Sequence, residues 1–177
     1  MKIPFALVTF LAAVTTAPLA GQARKFVWPG IRGVPPTELL DTMGTPREVP
    51  FPVARVFSAL EKVYAEIKVK PEVYAPPEQI GNQAFYARGS LAGRRMSSLL
   101  ECGGGMTGPY ADDYRIYMGL VTFVTPTPGN TSVVRSVLVG SAINVTEGVR
   151  PTQKCRSSGE LELKIHEMMV KELTKTE

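Results

Sequence analysis

Two long β-prone runs, 114–125 and 131–145, separated by the stretch Pro126-Thr-Pro-Gly-Asn130, constrain this chain more than any other feature. Both runs are dense in β-branched and aromatic residues, which pack well on a pleated surface and lose rotamer freedom in a helix. The stretch between them breaks a ladder, because proline gives no N–H and glycine tolerates positive φ. The pattern predicts an antiparallel hairpin.

Alternation gives the hairpin faces. On the first run Tyr114, Ile116, Met118, Leu120 and Val124 share one side, broken by Thr122. On the second, Val133, Val137, Val139, Ile143 and Val145 share a side with Arg135 and Ser141. Period-2 patterning of this kind marks a sheet packed on one face. A lone hairpin is marginal in water, so another element must cover that face. Gly119 and Gly140 interrupt the runs and mark a bend, a bulge or a close approach.

Two amphipathic helices can supply the cover. Over 52–67, Val53, Val56, Phe57, Leu60, Val63, Tyr64 and Ile67 recur at helical spacing, with Pro52 at the first helical position. At the other end Ser157-Ser-Gly-Glu160 matches a capping box and opens a helix over roughly 158–173, with Leu161, Ile165, Met168, Met169 and Leu173 on its apolar side. Between these, 38–42, 69–73, 83–88 and 153–156 read as short strands. Ser90 is a candidate cap for a short helix over 91–100, and 102–109 reads as a loop.

The N-terminus has its own pattern. Lys2 precedes an apolar run about a dozen residues long, and Gly21 and Ala23 place small residues before a cut after Ala23. This predicts a signal peptide over 1–23, an extended arm over 24–36 and one domain over 37–177. The competing reading is an uncleaved anchor, against which Thr15, Thr16 and Pro18 weigh. Gln22 stands where a lipoprotein box needs cysteine, so the exported chain is read as periplasmic or secreted, not lipidated and not membrane-spanning. In an oxidising compartment Cys102 and Cys155, the only two cysteines, are expected to form a disulfide. Two sequons, at Asn130 and Asn144, matter only if the source glycosylates exported proteins.

Several function classes lose their basis. The net charge of +4 comes without clustered Lys/Arg and aromatic platforms, so nucleic acid is not an expected partner. Two cysteines and the one histidine, His166, are too few for a structural metal site, and no cofactor is expected. The glycine-rich 102–108 lacks the Lys-Ser/Thr pair and following helix of a phosphate loop. His166 has no nucleophile-elbow serine to serve, and Asp112 and Asp113, being adjacent, do not converge. No catalytic residue is assigned.

The order of elements predicts an α+β domain: an antiparallel sheet built on the long hairpin, with two amphipathic helices on one face. In architecture alone this resembles helix-grip domains, and the resemblance carries no functional residues. The expected function is an exported non-catalytic domain binding an apolar ligand, an envelope component or a protein partner. The expected site lies between hairpin and terminal helix, lined by Ile116, Met118, Leu120, Val137, Val139, Met168 and Met169. The alternative is a small exported hydrolase or isomerase using isolated carboxylates, and a third reading is a structural role in an assembly.

Overall fold

A computed structural model describes residues 25–28, 37–40, 44–144 and 153–175. The chain opens with β1 (Lys25–Trp28), β2 (Thr37–Leu40) and β3 (Arg47–Val49), then α1 (Val53–Glu66), β4 (Val73–Ala75) and β5 (Gln79–Ala87). Short pieces follow: β6 (Ser90–Leu91), β7 (Arg94–Arg95), α2 (Met96–Leu99), β8 (Leu100–Glu101), β9 (Gly104–Gly105), β10 (Gly108–Pro109) and α3 (Tyr110–Asp113). The hairpin β11 (Arg115–Thr127) and β12 (Thr131–Ile143), then β13 (Gln153–Ser157) and α4 (Glu160–Thr174), complete the order. The fold is mixed α+β, as expected, with an antiparallel main sheet ordered β4-β5-β11-β12-β13-β8. β3 shares the outer edge of β12 with β13, at Ser132–Val134, while β13 takes Gly140–Ala142.

The hairpin pairs without a break from Arg115↔Ile143 to Thr127↔Thr131, around the connection Pro128-Gly129-Asn130. Pro126 therefore lies inside β11, where the sequence suggested a loop. The β11–β5 ladder ends at Phe123↔Gln79, so the missing N–H of Pro126 interrupts no second ladder.

Register decides the faces. Ile116, Met118, Leu120, Thr122 and Val124 stand opposite Ala142, Gly140, Leu138, Ser136 and Val134. These ten residues form the side covered by the helices. The valines grouped on the second run, Val133, Val137 and Val139, stand opposite Thr125, Val121 and Gly119 on the other side. A three-residue connection sets this register, and a one-residue change would exchange the faces.

Both long helices lie on that one face. α1 buries Val56, Phe57, Leu60, Val63 and Tyr64, and α4 buries Leu161, Ile165, Met169 and Leu173. They run antiparallel: Arg55 near the start of α1 donates to Leu173 O near the end of α4 at 3.0 Å. α1 ends in a Schellman motif. Val69 N–H reaches Tyr64 O and Lys68 N–H reaches Ala65 O, both at 3.1 Å. The left-handed position that closes it, usually glycine, is Lys68 at φ 61°.

Three local expectations change. The capping box does not form: Gly159, at φ 85°, is the N-cap of α4, and Ser157 instead donates to Glu162 Oε1 at 2.7 Å. The short helix contracts to α2, because Ala92 (φ 51°) and Gly93 (φ 73°) make the two-residue turn of the β6–β7 hairpin. The 102–109 loop holds the β9–β10 hairpin, and α3 follows it as one turn. There Asp112 accepts from Ser97 N–H at 3.0 Å, satisfying a free donor at the start of α2.

Cys102 and Cys155 are disulfide-bonded, with Cα atoms 4.1 Å apart. The pair Arg156↔Glu101 brings them face to face one step along the β13–β8 ladder. Both glycine interruptions have visible counterparts. The β11–β5 register shifts between Met118 and Leu120, at Gly119. A Cβ on Gly140 would lie 2.9 Å from Leu100 Cδ1, so that glycine makes room for the β8 leucine. β1 pairs with β2 from Lys25↔Leu40 to Trp28↔Thr37, so part of the stretch read as an arm is paired strand. The segment 1–23, the rest of the arm and residues 145–146 of the second sequon lie outside the described residues. Among the described residues no helix is long and apolar enough to cross a membrane.

Candidate functional site

The terminal helix organises the candidate sites. Leu161, Ile165, Met169 and Leu173 recur every four residues and face the sheet. Positions one before this stripe, Lys164 and Met168, line a cleft on one flank of α4. Positions one after it, Glu162 and His166, line a smaller cavity on the other flank.

The expected groove between hairpin and helix divides. Ile116, Met118, Leu120 and Met169 are fully buried and fill one another's space in the core beneath α4. Met168 is half-buried, packs against that core and also lines the cleft. Val137 and Val139 are on the opposite face of the sheet, so register separates them from the rest.

The cleft has a volume of about 420 Å³ and sits between the end of α1, the end of β5, the β6–β7 hairpin and α4. Ile67, Phe85, Tyr86, Ala87, Leu91, Ala92 and Met168 line it, with the lysines Lys68 and Lys164 and the acid Glu66. The Lys164 ammonium is oriented by Ala92 O, its acceptor at 2.5 Å. Lys68 reaches the cleft from the left-handed position closing α1, a conformation that costs an L-residue about 1–2 kcal/mol relative to glycine. Strain held at a cavity wall is a common mark of function.

The cavity on the other flank, about 230 Å³, has a mixed polar and apolar lining. Val134 and Ser136 of β12 are among its lining, together with Arg47 from β3 and Glu162 and His166 from α4. Ser136 continues a hydrogen-bonded chain into the core: its hydroxyl is 2.9 Å from Thr122 Oγ1, which is 3.0 Å from the Tyr64 hydroxyl. Glu162 Oε2 and His166 Nδ1 are buried without a hydrogen-bond partner among the described residues. Burial holds the His166 imidazole below its ordinary pKa, the Arg47 charge adds to this, and Glu167 opposes it. The site therefore presents a neutral imidazole beside a carboxylate. The Ser157 hydroxyl donates to Glu162 Oε1.

Sequence reasoning gave His166 no partner serine and did not single out Lys68, Lys164, Phe85 or Glu162 as site residues. The left-handed Lys68 leaves no residue-type signal, because glycine is the usual marker of that position. The i, i+4 pair Glu162/His166 was a usable signal, since such residues share a helix face.

Comparison with known proteins finds no matching family model, no matching curated protein and no matching solved structure. Among the described residues no group of three or more His, Cys, Asp or Glu side chains is placed to hold a metal ion.

Proposed function

We propose that this protein is an exported, non-catalytic binding domain whose ligand is an amphiphile with an apolar body and an acidic head, seated in the cleft beside α4. The observation that carries this reading is that apolar Phe85, Leu91 and Met168 share one cleft with two lysines, Lys68 and Lys164. The volume of about 420 Å³ falls in the range of small-molecule sites, about 300–1,000 Å³. Met168 suits the role, because a flexible thioether adapts to varied apolar surfaces. The sequence pattern at the N-terminus and the disulfide support export.

Binding of the anionic apolar probe 1-anilinonaphthalene-8-sulfonate to the folded protein, and its displacement by decanoate, tests the ligand class. Met168→Glu should abolish probe binding without unfolding the domain. Lys68→Gly should weaken binding while stabilising the fold by up to about 1–2 kcal/mol, as strain at the α1 terminus is relieved. Probe binding that ignores both substitutions would sink the cleft as the site. Intact mass of the secreted protein should match a chain beginning at Arg24, and a mature form retaining the first residues would show an anchor instead.

A further inference from the structure

On the sheet face away from the helices, β5 and β11 carry a second set of residues that packing does not explain. Tyr86 and Tyr117 stand directly opposite each other on the two strands, with ring centroids 6.5 Å apart. The ladder in this direction ends at Ile116↔Ala87, and the residues just beyond that pair, Arg115 and Arg88, line one concavity. Tyr86 is 64 % exposed, among the most exposed large apolar side chains of the described residues. The Arg115 guanidinium lies over its ring, 5.6 Å from the centroid. Tyr86, Arg88, Arg115 and Asp113 together line a concavity of about 230 Å³. Asp113 comes from α3, and its carboxylate accepts from the Thr107 hydroxyl at 3.1 Å.

We propose that this patch binds an acidic saccharide, a sugar chain bearing carboxylate or phosphate groups. Each part has a chemical counterpart. The two arginines that line the concavity can form bidentate hydrogen bonds to an acid group. An exposed tyrosine ring offers a flat apolar face against the C–H face of a sugar ring. The Asp113 carboxylate accepts from sugar hydroxyls and leaves the patch with a net positive charge. A neutral sugar would leave the arginine pair unanswered, and a bare anion would leave the tyrosine faces unused.

Isothermal titration of the full-length protein with tri-galacturonate, glucose 6-phosphate, maltotriose and inorganic phosphate tests the proposal. Binding of one or both acidic sugars, with maltotriose and inorganic phosphate each at least about tenfold weaker, is expected; tri-galacturonate and glucose 6-phosphate distinguish the carboxylate from the phosphate source. Arg115→Gln should weaken binding about ten- to a hundredfold, as loss of a charge-assisted hydrogen bond implies. Arg88→Gln should do the same. Met168→Glu should leave saccharide binding unchanged, which separates this patch from the cleft beside α4. Equal binding of maltotriose, binding indifferent to both arginine substitutions, or no binding of either acidic sugar would overturn the proposal.

Discussion

The Tyr64 hydroxyl of α1 lies 3.0 Å from Thr122 Oγ1 on β11, inside the core between helix and sheet. Thr122 is the one polar residue on the covered side of β11, and this bond, with that to Ser136, explains how it is tolerated there. A buried hydroxyl is inexpensive only when it is hydrogen-bonded.

The two partners should respond unequally to substitution. Tyr64→Phe leaves Thr122 bonded to Ser136 and should cost about 0.5–1.5 kcal/mol. Thr122→Val strands the Tyr64 hydroxyl and should cost about 1–3 kcal/mol. Urea denaturation of both variants checks the order. Burial also raises the Tyr64 pKa above its ordinary 10.0, against the opposing effect of the Thr122 bond. Above about pH 10 the unfolded chain loses a proton that the folded chain keeps, so stability should fall with rising pH there. Tyr64→Phe should flatten that fall. Absorbance titration should show one of the six tyrosines ionising only as the protein unfolds.

The Cys102–Cys155 bridge closes a separation of 53 residues. On the loop-entropy account such a closure is worth about 4 kcal/mol. Cys155→Ser should lower stability by about 2–5 kcal/mol, and thiol labelling of denatured, unreduced protein should find no free thiol. Full labelling of both cysteines would contradict the bridge.

Gly140→Ala should destabilise by about 1–3 kcal/mol, the usual range for overpacking a core. The added methyl would lie 2.9 Å from Leu100 Cδ1 and 3.4 Å from Cys155 Cβ. The Gly140→Ala/Leu100→Ala double variant should lose less than the sum of the two single variants, because truncating Leu100 makes room for the methyl added at position 140. Strict additivity would show that Leu100 is not the obstacle.

His166 is the only histidine, so its ring protons can be followed alone by NMR. Its folded pKa lies below the ordinary 6.5, chiefly through burial and then through Arg47. As pH falls below about 6.5 the unfolded chain takes up a proton that the folded chain refuses, so stability should decline until the folded pKa is passed. His166→Gln should remove that decline. Arg47→Gln should move the His166 titration upward, and an unmoved titration would separate the two residues.

The parts of the fold legible in the sequence are those written within a few residues of one another. The hairpin follows from the alternation of its two runs, and α1 and α4 follow from apolar spacing. The disulfide follows from two cysteines and an export pattern. Gly140 was legible as a point of close approach, though its neighbour Leu100 was not. The cap of α4 was misread because the helix starts two residues later than the box requires, with Gly159 at the N-cap and Glu160 as its first residue. The helix over 91–100 was misread because Ala92, an ordinary helix former, takes a positive φ in a tight turn.

By itself the sequence determined the long hairpin, the two long helices, their order and the covalent bridge, because periodicity and cysteine count are properties of the chain alone. Only the tertiary structure decided which face of β12 meets the helices, because register depends on the geometry of the Pro128-Gly129-Asn130 connection. That choice buried Ile116, Met118 and Leu120 beneath α4 and turned Val137 and Val139 away. It also decided where cavities remain. Lys68 and Lys164 line one cleft, and Tyr86 meets Arg115, across separations that no local pattern spans. Side chains distant in sequence converge only when packing and strand pairing bring their backbones together, and that is where the candidate sites of this protein arise.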